Sequence, residues 1–528
     1  MFRFPEPLIK ELTQSSFDIL ALSNYSWNFE LGYNIAKYAK KVNKDATIIF
    51  GGPNYPTDAK EKKDYLIKYD LIDFYIELEG ELAFVNLINQ LENTNFDNKR
   101  LKSKQKPIDN TNYLFQGEII SGPITRINDI NDIPSPYLNG ILDEFFDYEL
   151  EPIIETTRGC PFSCSYCADG IKIKNKIKRL ESSRVEKEIE YIAKKASEKN
   201  KISKLLISDL NFGMYNDDVF TAKVISKQQE KYNWPVSIGA SAGKNNPNRL
   251  LNVARELKGS WNFGSAIQSS DPEVLKNVDR SNIRLDAYQA LLEYSSSVGN
   301  LTYTEIILGL PGDTKEKHFK SLRHGINNGT NQLRMYQAIM LYGTKMATPA
   351  SREQYQIKTK FRVIPGSIGR YDFDGKKEPI FEIEEIIVQT KDLTFDDYIQ
   401  CRIMNLLIES IFNGSMFEEV FNLLKASGVD QFQIIEFIFN KKNEFKESLH
   451  KIIEKFVFLT KVDLYDSHQE AKDYLSKDEI IDKHLNHELG VNEILECKTD
   501  LLLLFDDLND LVFTSIIEIL IQRDSASE

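Results

Sequence analysis

The sequence predicts an α/β fold in three regions. These are a Rossmann-like unit at the N-terminus, an open or partial (β/α)6 barrel of the TIM type in the middle, and a helical C-terminal domain. Three observations predict it. Short apolar runs alternate with helical spacing twice, once before residue 135 and again from Ile153 to about residue 345. The segment Ile133-Pro134-Ser135-Pro136-Tyr137 separates the two stretches, because each proline fixes its own φ and restricts the residue before it. After about residue 376 the pattern changes, and residues 393–520 have mostly helical periodicity with many acids. The regions are set at 1–135, a linker at 136–150, 151–375 and 376–528.

In the first region Phe17–Leu22 reads as a short buried strand, followed by the polar turn Ser23-Asn24-Tyr25-Ser26-Trp27-Asn28. Glu30 to Lys41 has helical spacing, with Leu31, Ile35, Tyr38 and Ala39 on one face. A second strand, Ala46–Phe50, ends in Gly51-Gly52-Pro53, which makes a βαβ unit and implies a parallel sheet. A third short strand, Phe74–Ile76, runs into Glu79-Gly80-Glu81 and a helix carrying Phe84, Leu87, Ile88 and Leu91. Residues 92–112, rich in Asn and Lys, read as an insertion or surface loop.

In the second region Pro152–Thr156 reads as a strand that leads into a Cys-rich loop. Further strands are predicted at Lys204–Ser208, Val236–Gly239, Asn262–Ile267, Thr302–Leu308 and Gln332–Leu341. Helices are predicted at Arg184–Lys199, Pro247–Leu257 and Pro272–Val278. Active sites in such sheets lie at the C-terminal ends of the strands. In the third region Ile403, Leu406, Leu407 and Ile411 form one apolar stripe, and Leu501–Phe505 and Ile516–Ile521 form others.

Composition narrows the function. At ~150 residues per domain, 528 residues allow roughly three or four domains. The 41% hydrophobic content supplies cores and speaks against disorder. Sixty-six Lys plus Arg against 79 Asp plus Glu leave a net charge of −13, so no nucleic-acid partner is expected. No apolar run approaches the ~20 residues of a membrane span, and the start, MFRFPEPLIKEL, lacks signal-peptide character. Five Cys in this length make no disulfide framework, which points to a reducing, cytoplasmic enzyme.

The chemistry concentrates in Arg158-Gly159-Cys160-Pro161-Phe162-Ser163-Cys164-Ser165-Tyr166-Cys167, with Cys-x3-Cys-x2-Cys spacing. Thiolates bind soft metals and iron–sulfur clusters, and three from one short loop can hold three irons of a [4Fe–4S] cluster. A zinc site is the alternative but needs a closing ligand, and Cys401 and Cys497 stand far away and alone. Unliganded core thiols are the third reading; Cys401 and Cys497 fit it best.

The loop resembles the signature of the radical S-adenosylmethionine (SAM) enzymes, Cys-x3-Cys-x-aromatic-Cys, with Tyr166 as the aromatic. The resemblance implies that Cys160, Cys164 and Cys167 bind a [4Fe–4S] cluster whose open iron is chelated by SAM. One electron then cleaves SAM to methionine and a 5′-deoxyadenosyl radical. Ser265-Ala266-Ile267-Gln268-Ser269 is similar to the family's GxQS strand end, and Arg280 follows Gln268 by twelve residues. Glu305-Ile306-Ile307-Leu308-Gly309-Leu310-Pro311-Gly312 resembles its GxIxGxxG segment, with Glu305 in place of the first Gly. The implied SAM-binding set is Tyr166, Gln268, Ser269, Arg280, Glu305 and Gly309. Asp209-Leu210-Asn211-Phe212-Gly213 matches a DxNFG segment, read as loop geometry.

The first region is similar to the cobalamin-binding domain that precedes one large radical SAM class. The matching pieces imply cobalamin contacts from Ser23, Asn24, Tyr25, Trp27, Asn28, Gly51, Gly52, Pro53, Glu79 and Gly80. No His occurs before His318, so cobalt would take no His ligand from this region. Two weaker signals remain. His484 and His487 could present two ligands on one helix face, but read better as part of an exposed helix. The basic run Lys172 to Arg179 could attract an anion, but reads better as a solvated loop.

The resemblance implies a B12-dependent radical SAM methyltransferase with a small-molecule substrate and a flavodoxin- or ferredoxin-type reductant. Its reaction would methylate an unactivated carbon, or phosphorus, through the 5′-deoxyadenosyl radical and methylcobalamin. The alternatives are rearrangement, cyclisation or dehydrogenation without methyl transfer, and a non-catalytic metal-binding scaffold.

Overall fold

The computed structural model describes residues 5–148, 150–199, 201–262 and 264–525. Its N-terminal sheet has strands β1 (Ile19–Ser23), β2 (Thr47–Gly51), β3 (Phe74–Ile76), β4 (Thr111–Phe115) and β5 (Glu118–Ser121), in that spatial order. The first three are parallel and the last two antiparallel. Period-2 alternation along β2 feeds two cores. Ile48 and Phe50 pack with Phe29, Tyr33 and Ile35 of helix Phe29–Val42, whereas Ile49 packs with Ala83, Leu87 and Leu91 of helix Gly80–Glu92. The expected loop at 92–112 instead contains helix Asn98–Ser103 and the start of β4. The β4–β5 turn is Gln116-Gly117, with φ of +50° and +79°, the conformation of a tight hairpin turn.

The second region carries β6 (Ile153–Ile154) and a short antiparallel pair, β7 (Thr157–Arg158) and β8 (Lys178–Arg179), that frames the Cys-rich loop. It continues with β9 (Lys204–Phe212), β10 (Ser237–Ala242), β11 (Gly264–Gln268), β12 (Tyr303–Leu308) and β13 (Gln332–Gln337). The ladders β6-β9-β10 and β11-β12-β13 are each parallel. An isolated parallel bridge, Ile238 to Trp261, links β10 to the segment that leads into β11. The six strands form an open arc, as the sequence predicts, and the sheets do not close. Position 263, inside the strand expected at Asn262–Ile267, lies outside the described residues. Helix Ser182–Ser197 packs Val185, Ile189 and Ile192 against Leu205 and Ile207 of β9, while Thr304, Ile306 and Leu308 are the buried face of β12.

A long hairpin follows that the sequence did not reveal. Strands β14 (Lys358–Phe373) and β15 (Lys376–Gln389) turn at Asp374-Gly375, with φ of +60° and +84°. The boundary expected at 375/376 therefore falls inside a turn, and helices begin only at Phe395. β15 extends the sheet beyond β13: Met340 N donates to Glu385 O at 2.9 Å and Ile387 N to Ala338 O at 2.9 Å. At its far end Phe373 and Ile380 join the N-terminal core, with Phe373 5.7 Å from Tyr38. Six of the eight helices from Phe395 to Ser525 share one core with Ile306, Leu308 and Leu333, so the helical region is continuous with the outer face of the arc, while helices His468–Leu475 and Asp478–Leu485 pack on Val363 and Phe381 of the hairpin. Cys401 and Cys497 are buried there. No helix among the described residues is long and apolar enough to cross a membrane.

Candidate cluster and cofactor site

Cys160, Cys164 and Cys167 are free thiols on the loop between β7 and β8. Two glycines shape that loop. A Cβ on Gly159, whose φ is +104°, would stand 2.8 Å from the carbonyl oxygens of Lys174 and Lys176. A Cβ on Gly170 would stand 2.2 Å from Cys164 O. The loop is also pinned from outside, since Ser165 N donates to Val278 O and Met346 N to Ser165 O.

Each sulfur has a donor nearby. Asn211 Nδ2 lies 3.4 Å from Cys160 Sγ, Lys244 Nζ 3.6 Å from Cys164 Sγ, and Asp169 N 3.4 Å from Cys167 Sγ. Burial pushes the Cys167 thiol up and the Lys244 ammonium down. No three His, Cys, Asp or Glu side chains among the described residues converge on the position of a single ion. Below the loop, Asp209 accepts from Thr156 N at 2.7 Å and from the Thr156 hydroxyl, and burial raises its carboxyl to about 6. The DxNFG segment thus does more than shape a turn. Lys244 was missed from sequence, though the end of β10 is where the strand-end rule directs attention.

The second group converges beside the loop. Arg280 is buried and donates to the Tyr166 hydroxyl at 2.9 Å, to Asn282 Oδ1 at 2.9 Å and to the Ala266 carbonyl. Gln268 ends β11 at a φ of +61°, a strained conformation for a residue with a Cβ. Its Nε2 is 3.5 Å from Glu305 Oε2, and its buried Oε1 has no partner. Ser269 is buried, with its hydroxyl 3.3 Å from Ser321 Oγ. Gly309 has a φ of +90° at the turn leaving β12.

Above the loop, a cavity of about 610 Å³ separates it from the C-terminal edge of the N-terminal sheet. Tyr25, Gly52, Pro53, Glu79 and Gly80 line one wall, and Gly159, Ala168 and Asp169 line the other. Gly52 sits at φ +137°, where a Cβ would be 2.4 Å from Asn24 O. Glu79 is desolvated, yet Arg126 at 2.8 Å and the Ile127 amide hold its carboxyl below the usual range. Ser23, Asn24, Trp27, Asn28 and Gly51 do not reach this wall. Asn24 is buried and bonds Asn54 O, Tyr65 Oη and Tyr75 Oη. Asn28 closes the turn by bonding Ser23 Oγ and Tyr25 N, and Trp27 stacks on Tyr25 at 4.6 Å. Two further cavities, of about 380 and 580 Å³, share Thr57 and Gly343 with the first.

The weaker signals resolve plainly. His484 is buried, and burial lowers its imidazole; His487 lies beyond the helix, which ends at Leu485. The expected shared exposed helix face is therefore not formed. In the basic run Lys174 pairs with Asp169, and Arg179 with Asp217 and Asp218. Much of that charge is spent inside the fold rather than solvated.

Residues 154–324, from β6 into the helix after β12, match the model of the radical SAM superfamily. The chain carries a radical SAM domain. It is 27% identical over 416 residues to the cobalamin-dependent radical SAM methyltransferase TokK of Streptomyces tokunonensis. It is 26% identical over 416 residues to the 2-(S-pantetheinyl)-carbapenam-3-carboxylate methyltransferase of Streptantibioticus cattleyicolor. Each match covers 75% of this chain and 57% of the relative, so the chain spans little more than half the length of either. The cobalamin-dependent SAM radical enzyme OxsB, solved with aqua-cobalamin, superposes with a TM-score of 0.54 at 15% identity. That superposition covers 98% of this chain and 75% of OxsB, so the fold is shared through the helical region.

Proposed function

We propose that this chain is a B12-dependent radical SAM methyltransferase acting on an unactivated carbon, or on phosphorus, of a small molecule. The observation that carries the proposal is the cavity of about 610 Å³, which sets the Cys-rich loop against the C-terminal edge of a Rossmann-like sheet. The names of TokK and the carbapenam methyltransferase support the same reading.

The residues fit the groups the reading requires. Cys160, Cys164 and Cys167, all on one short loop between β7 and β8, would ligate three irons. Asn211 and Lys244 would stabilise the sulfurs by N–H donation. The unpartnered Gln268 Oε1 and the Glu305 carboxylate would receive the ammonium or ribose hydroxyls of SAM, and Arg280 would hold Tyr166 in place. When bound, the cluster supplies one electron and an open iron for SAM, and cobalamin supplies a carrier for methyl. Gly52 lets the turn after β2 pack on the Asn24 backbone at the cavity wall, and the three cavities meeting at Thr57 and Gly343 give a bulky ligand room. A flavodoxin- or ferredoxin-type reductant and a cytoplasmic setting belong to the same proposal.

The test is anaerobic purification with cobalamin supplied, followed by iron, sulfide and cobalt analysis. About four irons and about one cobalt per chain are expected. Transfer of labelled methyl from SAM to a candidate metabolite would complete the case. Iron without cobalt would overturn the B12 half and leave rearrangement or dehydrogenation. A chain that takes up no iron under these conditions would overturn the whole reading.

A further inference from the structure

A further cavity of about 460 Å³ opens between the barrel arc, the hairpin and the helical region, and shares Ile339, Leu341 and Glu384 with the 380 Å³ cavity. Tyr166 of the Cys-rich loop and Ile307 of β12 form one end. Arg362 and Glu384 of the hairpin, with Arg402 and Glu493 of the helical region, form the other. The wall between is largely apolar, with Leu310, Met335, Ile339 and Ile494.

The four charges balance in pairs. Arg362 Nε donates to Glu384 Oε1 at 2.7 Å, and Arg402 Nη2 to Glu493 Oε1 at 2.5 Å. The second pair is deeply buried, since the Arg402 side chain is 3% exposed. Its guanidinium is not satisfied: Nε is buried and has no acceptor. A desolvated charged donor without an acceptor is costly, and native structures seldom leave one open without a reason. The same guanidinium borders the largely apolar cavity.

We propose that this cavity is a binding site for a small molecule carrying one carboxylate on a largely apolar body. The Arg402 guanidinium receives the carboxylate, and the body lies along Met335 and Ile339 toward Tyr166. A dianion such as a phosphate ester is disfavoured, because Glu384 and Glu493 share the charged wall and would repel the second charge. That the ligand is the methyl acceptor rests on the function proposed above, since the Tyr166 end of the cavity abuts the Cys-rich loop. The ligand chemistry itself does not rest on it.

The test uses the full chain and two probes of one shape, 4-phenylbutyrate and the neutral 4-phenylbutyramide, titrated by ligand-observed NMR. The acid should bind roughly tenfold more tightly, the scale of one charge-assisted hydrogen bond. Arg402→Lys keeps the charge, loses the planar guanidinium and should abolish the preference. Ile494→Trp fills the cavity while leaving the Arg402–Glu493 pair, and should abolish binding of both probes; it decides the matter if Arg402→Lys does not fold. Equal affinity for acid and amide, binding of neither, or a full acid preference surviving Ile494→Trp would overturn the proposal. Iron content and SAM binding are measured on the same samples. A chain without cluster that still prefers the acid keeps this site and sinks the radical SAM mechanism. A cluster-loaded chain with no preference does the reverse.

Discussion

Gly170 shows how one residue can set the shape of the loop that carries the three thiols. A methyl there would overlap the Cys164 carbonyl, so Gly170→Ala must shift the loop that carries the thiols. We expect a stability loss of about 1–3 kcal/mol, the usual scale of overpacking, together with a sharp fall in iron per chain. Both are read by denaturant titration and iron analysis. Cys160→Ala should separate the two effects. Cys160 is half-buried and outside the barrel's apolar core, so iron uptake should vanish while the denaturation midpoint barely moves; retained iron would remove Cys160 from the ligand set. The cysteines were legible because their information is local, three thiols within eight residues. The donors to their sulfurs were not. Asn211 lies 51 residues from Cys160 and Lys244 lies 80 from Cys164, and only the curl of the arc brings them together. Spacing also singles out Gln268, but its left-handed backbone is a tertiary fact.

The hairpin is the element that sequence reading lost, and the reason is chemical. β15 carries four acids, and Glu382, Glu384 and Glu385 among them are withdrawn from solvent by partners elsewhere. Glu384 meets Arg362, Glu385 meets Arg352 at 2.6 Å, and Glu382 accepts the backbone amides of Glu30 and Leu31, both at 3.0 Å. Those amides open helix Phe29–Val42, so the hairpin caps a helix more than three hundred residues upstream. A local signal was present, since Asp374-Gly375 is among the strongest hairpin turns. Glu382 also gives a pH prediction. Burial raises its carboxyl from 4.5 to about 7, against the two amides, with Glu30 adding to the shift and Lys472 opposing it. The folded chain then holds a proton that the unfolded chain has lost, so stability falls as pH rises from 4.5 to about 7 and levels off above. The full effect is roughly 3 kcal/mol. Glu382→Gln carries no titratable group and should flatten the profile over that window, as followed by the urea midpoint; an unchanged slope would show that other groups set it.

At the scale of the whole molecule the hairpin joins all three regions. Its base extends the barrel sheet through Ala338 and Met340, Phe361 exchanges backbone bonds with Tyr465 of the helical region, and its tip enters the N-terminal core. The cavity proposed for cobalamin lies between the N-terminal sheet and the Cys-rich loop, so its width depends on how firmly those two bodies are held together. Ion pairs such as Arg158 with Glu81 cross the gap directly, but partly exposed pairs contribute little. Apolar burial at the hairpin tip should dominate. Phe373 is 7% exposed, packed beside Tyr38 and joined to a core that includes Ile380. Phe373→Ala should cost about 3 kcal/mol, near the lower end for a buried Phe because the tip can partly collapse. That cost falls on the attachment rather than on either body. Hydrogen exchange should therefore quicken in helix Phe29–Val42 and leave helix Ser182–Ser197, which sits in a different core, at its original rate. If cobalamin occupies the cavity between them, cobalt retention should fall in this variant while iron content stays constant, because the Cys-rich loop is pinned by Val278 and Met346 within the barrel. Equal quickening in both helices would mean that the regions unfold as one unit and that the hairpin tip is ordinary core. Loss of iron in step with cobalt would mean that the loop, too, depends on the N-terminal sheet for its shape.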